Sequence, residues 1–192
     1  SADPIHVRVP RALKLIAQAA AKAQFVVLPE LWHVGAFDIE AAREHAQPIN
    51  GPLVTDLAAL AKQHGIWLHG GSFCEVADGS YYNTSVLFSP QGDLRATYRK
   101  IHLFGFEGGE TTLMSSGEEL VVVDTPLGAT GLATCYDLRF PEQYRELALA
   151  GAEAFMVPAG FTMATGRDHW EILLRARAIE NAAYVIAANQ HG

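Results

Sequence analysis

Three short segments of this sequence end apolar runs on residues able to make and break bonds. Gly131-Leu132-Ala133-Thr134-Cys135-Tyr136-Asp137-Leu138-Arg139-Phe140-Pro141-Glu142 puts a thiol at the carboxyl end of a strand, just ahead of a helix, the place where α/β folds collect active sites. A sharp turn there is expected to expose the sulfur. Backbone N–H groups at the start of the following helix are expected to lower its proton affinity and to face an oxyanion. Val26-Val27-Leu28-Pro29-Glu30-Leu31-Trp32 closes a second run on a carboxylate, with Pro29 breaking the strand ladder just before it. A carboxylate held beside an apolar core can serve as a base. Tyr98-Arg99-Lys100-Ile101-His102-Leu103 ends a third run on a cation, which can stabilise charge on an attacked carbonyl oxygen. Each has a plainer reading too. Cysteine is among the most buried residue types, and a strand-end glutamate or a lysine after a hairpin is ordinarily a solvated charge. As a set they supply a nucleophile, a base and an electrophilic cation at one type of position. Cys74 lacks such a turn and reads as packing.

The elements that must hold these residues follow from periodicity. Arg11 to Ala23 has helical spacing, and Phe25 to Leu28 reads as a buried strand. Pro52 to Gln63 is again helical, and Ile66 to Gly71 reads as a strand ending at its glycines. Asn83 to Phe88 and Leu94 to Tyr98 form a hairpin around Ser89-Pro90-Gln91-Gly92-Asp93. Leu120 to Val123 and Gly131 to Thr134 are strands flanking a turn at Thr125 to Gly128. Pro141 to Ala150 is a helix with proline in first position. Ala154 to Val157, Asp168 to Ala182 and Tyr184 to Asn189 complete the alternation as strand, helix and strand, which is that of an α/β fold. The first convincing element is a helix and the last an uncovered strand, so absent segments are expected on both sides.

Composition narrows the partners. With 14 Lys and Arg against 21 Asp and Glu, the net charge of -7 offers no basic field for nucleic acid or anionic membranes. No apolar run approaches the ~20 residues of a membrane span, and Ser1 to Pro10 has no signal-like stretch, so a cytoplasmic protein with free thiols is expected. His33, His45, His64, His69, His102 and His169 show no ligand spacing, and no glycine pattern suits a dinucleotide. Neither metal nor cofactor is expected. Asn83-Thr84-Ser85 is formally a glycosylation acceptor inside a predicted strand. Arg139 could meet a substrate carboxylate, or pair with Glu142.

Taken together, Leu28-Pro29-Glu30, Tyr98-Arg99-Lys100-Ile101-His102-Leu103 and Cys135 to Glu142 resemble the nitrilase superfamily of carbon-nitrogen hydrolases, most nearly its omega-amidase-like branch. The match extends through His169-Trp170-Glu171 to Ala187-Asn189-Gln190 and covers essentially the whole chain, residues 1–192, as one domain. The resemblance implies an αββα sandwich of two mixed sheets flanked by helices, and a Glu30, Lys100, Cys135 triad acting on a small amide through a thioester. It also implies a second glutamate, for which Glu110 is the best match and Glu107 the competitor. The Tyr136 backbone N–H would assist the oxyanion, with Arg139 near the substrate, and a homodimer or larger assembly is implied. Family members usually begin with a strand before the first helix and continue past this endpoint, and the pieces lacking here bear on assembly. Hydrolysis of nitriles or N-carbamoyl amides, acyl transfer to an amine, and a non-catalytic scaffold are the other readings.

Overall fold

The computed structural model of the chain describes residues 3–105 and 108–190. Helix α1 (Ile5–Ala20) leads into strand β1 (Phe25–Val27), and α2 (Ile39–Glu44) and α3 (Pro52–His64) precede β2 (Trp67–Ala77), β3 (Ser80–Phe88) and β4 (Leu94–Arg99). A second run holds β5 (Val122–Thr125), β6 (Gly128–Leu132), α4 (Pro141–Leu149), β7 (Ala154–Ala159), α5 (Met163–Asn181) and β8 (Tyr184–Asn189). The strands make two mixed sheets, ordered β1-β2-β3-β4 and β5-β6-β7-β8.

Side-chain alternation along the strands sets the layers. Val26, Leu68, Val86 and Phe88 pack on Ile16 of α1 and on Leu57 and Ala61 of α3. Residues of opposite parity, Phe25, Val27, Ala96 and Tyr98, meet Leu132 and Met156 of the second sheet. Phe155 and Val157 of β7 turn outward again, onto Tyr144 and Leu147 of α4 and Leu173 of α5. The molecule is the expected αββα sandwich, with helices on both outer faces and strand ends gathered between the sheets.

Several boundaries differ from the sequence reading for identifiable reasons. Helix α1 starts at Ile5 and runs through Pro10, a proline in its second turn that leaves the His6 carbonyl without its helical donor. Strand β2 does not stop at Gly70 and Gly71. It passes through them on a bulge between His69 and Ser72 and pairs with β3 as far as Ala77. Gly71 has φ +64°, and a β-carbon there would lie 1.9 Å from the Pro29 carbonyl oxygen, so this glycine admits the Glu30 loop and does not end the strand. The Asp78-Gly79 turn that joins β2 to β3, with φ of 51° and 79°, is an Asp-Gly hairpin signal that the reading passed over. Helix α2, capped by Asp38 accepting from the Ala41 N–H at 3.0 Å, was also unforeseen. Cys135 lies beyond β6 in a 3₁₀ turn, Cys135–Arg139, and not on the strand itself.

Two histidines are buried without charge partners. Neither ring nitrogen of His33 has a hydrogen-bond partner, nor does Nε2 of His69. Burial brings their pKa values from 6.5 down to about 3 and about 4. The unfolded chain takes up these protons near pH 6.5 and the folded chain far lower. The folded state therefore loses stability as pH falls from about 6.5 toward 4, at up to about 1.4 kcal/mol per pH unit for each group. Urea midpoints measured across this window are expected to decline, and His69→Asn to decline less steeply. Equal slopes for the two proteins would contradict the burial argument.

Candidate active site

The exits of three strands converge between the sheets. Glu30 follows β1, Lys100 follows β4 directly, and Cys135 follows β6. β1 and β4 are the two edges of one sheet and β6 belongs to the other, so the site exists only where the sheets are docked. Lys100 Nζ donates to Glu30 Oε1 and to Glu110 Oε2, each at 2.7 Å. Glu110 lies in the 3₁₀ turn Gly109–Thr112, whereas Glu107 is outside the described residues. Glu30, Lys100 and Glu110 are 2%, 1% and 3% exposed, which removes the solvated readings of the strand-end charges. Burial opposes the charge on Lys100, but Glu30 and Glu110 outweigh it and hold the ammonium's pKa well above its ordinary value. Burial and the neighbouring Glu30 push the Glu110 carboxyl above the usual carboxylate range, with Lys100 pulling it back.

Both carboxylates have further donors. Asn83 Nδ2, on β3, reaches Glu30 Oε1 at 2.9 Å and Glu110 Oε1 at 2.5 Å. The Gly160 N–H donates to Glu30 Oε2 at 2.8 Å, and the Phe104 N–H to Glu110 Oε2 at 2.8 Å. Gly160 must be small, since a β-carbon there would meet that of Ala36 at 2.2 Å.

Cys135 has φ +47°, a left-handed backbone that non-glycine residues adopt only where surroundings impose it. The sharp turn is therefore present, yet the residue is only 8% exposed. Phe37 and Phe104, from distant loops, line the same pocket. Glu30 and the Gly160 N–H stand near enough to the thiol to act on its proton affinity, the first raising it and the second lowering it. Burial and the Glu30 charge push the thiol well above its ordinary pKa, against the pull of Lys100. The expected lowering by the following turn is overridden, and the thiol is favoured over the thiolate at rest. Cys74 is fully buried among Leu31, Val34 and Met114, its thiol pushed up to about 12 by burial.

Beneath the cysteine, Asp137 ties the two sheets together. Its Oδ2 accepts from the Tyr98 hydroxyl at 2.7 Å and the Thr134 N–H at 2.8 Å. Its Oδ1 accepts from the His102 N–H at 2.9 Å and stands 2.9 Å from His102 Nδ1. The residues flanking Lys100 and those flanking Cys135 thus share one carboxylate.

The pocket over Cys135 is lined by Phe37, Phe104, Tyr136, Arg139, Phe161 and Thr165. Arg139 reaches it with its guanidinium 5.0 Å from the Phe161 ring centroid and 3.2 Å from His169 Nδ1. Its partner is His169 and not Glu142. A wider cleft of about 1080 Å³ adjoins it through Phe37 and Gly160 to Thr162.

A family model described as carbon-nitrogen hydrolase matches residues 6–192. The chain belongs to the carbon-nitrogen hydrolase family. It is 41% identical over 200 residues to the 2-oxoglutaramate amidase of Paenarthrobacter nicotinovorans, covering 100% of this chain and 67% of that protein. It is 41% identical over 188 residues to the deaminated glutathione amidase of Yersinia enterocolitica, covering 92% of this chain and 65% of the relative. The chain thus spans about two thirds of the length of these relatives. Among solved structures it resembles Saccharomyces cerevisiae Nit3, of branch 10 of the nitrilase superfamily, with TM-score 0.87, 33% identity and coverage of 97% and 71%. It also resembles an amidase from Nesterenkonia in which acrylamide has added to the active-site cysteine, with TM-score 0.83, 26% identity and coverage of 97% and 73%.

The structure therefore brings Glu30, Lys100, Glu110, Cys135, Tyr136 and Arg139 to one place. Asn83, Asp137 and Gly160 belong there as well, and the sequence reading gave none of them a role. A polar Asn83 inside an apolar strand was the available signal. Tyr98→Phe removes the bond to Asp137 and leaves the Ile101 N–H and Gln143 Nε2 without their hydroxyl acceptor. It is expected to cost about 2 to 3 kcal/mol in urea unfolding; a loss under about 0.5 kcal/mol would show that the network adds little.

Proposed function

We propose that the chain hydrolyses the carbon-nitrogen bond of a small amide, releasing ammonia and a carboxylic acid, with Cys135 as nucleophile, Glu30 as base and Lys100 as oxyanion donor. The observation that carries this reading is the buried Glu30–Lys100–Glu110 arrangement with the Cys135 thiol beside it, its proton affinity raised by the Glu30 charge and lowered by Lys100. A solvated charge cluster would not be built this way, because desolvating three ionisable groups costs several kcal/mol each unless they are paired.

Glu30 takes the thiol proton as sulfur attacks the carbonyl carbon, so no free thiolate accumulates. The tetrahedral oxyanion is held by Lys100 Nζ and by the Tyr136 N–H, which lies at the start of a 3₁₀ turn where backbone amides lack partners within the turn. Collapse expels ammonia, which takes the proton back from Glu30 and leaves a thioester. Water, deprotonated by Glu30, attacks that thioester and frees the acid and the thiol. Glu110 holds Lys100 on its far side and keeps the ammonium fixed between two carboxylates.

Aromatic walls and Arg139 favour a short monoamide, including one with a distal carboxylate that a guanidinium can hold. The names of the amidase relatives support amide over nitrile or N-carbamoyl substrates. Exposed Met163, Ile172 and Ile179 on α5 and Tyr184 on β8, 67% to 84% accessible, support assembly as a homodimer or larger oligomer. A single domain in the cytoplasm fits the acidic composition and the lack, among the described residues, of any helix long and apolar enough to cross a membrane.

Ammonia release from a panel of short aliphatic and dicarboxylic monoamides is expected to disappear in folded Cys135→Ala. Lys100→Met is expected to lower kcat by about a hundredfold or more, the worth of one oxyanion donor. Release that survives Cys135→Ala would refute the proposal. No release by the unsubstituted protein, with no acyl adduct on Cys135 by mass spectrometry, would favour the scaffold reading.

A further inference from the structure

We infer that Asn83 is a positioning residue for this reaction, its side-chain amide fixing Glu30 against the Cys135 thiol and Glu110 against Lys100. The inference rests on the reading of Glu30 as base. Asn83 is fully buried in β3. Its Nδ2 donates to Oε1 of both glutamates, and its backbone carbonyl accepts the Lys100 N–H at 2.8 Å. One residue on the central strand β3 is therefore bonded to three residues that come from elsewhere in the fold.

The orientation of the amide follows from charge. Turned over, its oxygen would face two carboxylate oxygens with no donor between them, so the nitrogen must point at the glutamates. This leaves Asn83 Oδ1 buried without a hydrogen-bond partner. An unsatisfied buried acceptor costs about 1 to 3 kcal/mol, and an apolar residue at this strand position would avoid that cost. What the amide supplies in return is geometric. Lys100 alone gives each glutamate one bond and leaves it free to turn about that contact. Adding the Asn83 bond to Oε1 and the Gly160 N–H to Oε2 holds Glu30 at both oxygens. Neutral donation also lets two anions share a site with a single cation, where a second lysine would hold both carboxylates more tightly and weaken Glu30 as a base.

The test reads the thiol directly. Second-order alkylation of Cys135 by iodoacetamide at fixed neutral pH is measured for the unsubstituted chain, Asn83→Ala and Glu30→Gln, with melting temperatures alongside and alkylation of Cys74 resolved by mass spectrometry. Asn83→Ala that remains folded is expected to shift the alkylation rate in the same direction as Glu30→Gln and by at least about threefold, because in both the Glu30 charge that acts on the thiol's proton affinity no longer stands beside it. Where amide turnover is measurable, kcat falls with KM within about twofold. A purely structural asparagine would lower the melting temperature and leave alkylation of the folded fraction unchanged, and that result overturns the inference. A shift in Glu30→Gln without one in Asn83→Ala refutes the positioning role alone; no shift in Glu30→Gln refutes the placement of Glu30 at the thiol and the positioning role together. Should Asn83→Ala not fold, amide proton exchange in the unsubstituted protein decides. Side-chain protons of Asn83 exchanging far more slowly than those of exposed Asn50 support the bonds, and equal exchange overturns them.

Discussion

The constraint on which the rest depends is the ammonium of Lys100, held between two carboxylates where water does not reach. Each of these charges alone would be intolerable in the interior, and together they still leave an excess of negative charge. Such a cluster survives burial only if donors surround it. The chain supplies them from the backbone of Gly160 and Phe104 and from Asn83. The sheets are arranged to serve that requirement. One contributes Glu30 and Lys100 from its opposite edges, the other brings Cys135, and the packing of Tyr98 against Leu132 and Met156 closes the interior between them.

Much of this was legible in the sequence for a physical reason. Strand exits are where an α/β fold can present a polar group without breaking its ladders, so an apolar run ending on Glu30, Lys100 or Cys135 carries meaning from its position alone. What the sequence could not convey is cover. The turn at Cys135 is a local, backbone property, and Gly131 to Pro141 was enough to suggest it. The burial of the thiol depends on residues brought from elsewhere along the chain, and with burial the sign of its proton affinity shift reverses. Asn83 shows the same limit. Inside its strand it is only a polar residue in an apolar run, and its purpose depends on which side chains other elements bring to it. The glycines of β2 misled because a bulge and a strand end look alike until the loop that needs the space, here Pro29 and Glu30, is in place.

Asp137 extends the logic to the architecture. A single carboxylate receives bonds from the segment leaving β4 and from the turn after β6, so the nucleophile and its cation share a rigid reference. A mutation in one segment is transmitted to the other through an atom that takes no part in the chemistry. The outer helices reach the same network, Arg177 of α5 donating to the Leu138 carbonyl at 3.1 Å and Gln143 of α4 to the Tyr98 hydroxyl at 2.9 Å.

The resting state of Cys135 has a consequence of a different kind. Peroxides and disulfides attack or are attacked by thiolates, and neutral thiols react with them far more slowly. A nucleophile that stays protonated beneath aromatic cover, and ionises only as a carbonyl carbon arrives to take its electrons, presents oxidants with little to react with between turnovers. The same burial that calls for an internal base thus leaves little thiolate for an oxidant to meet between turnovers.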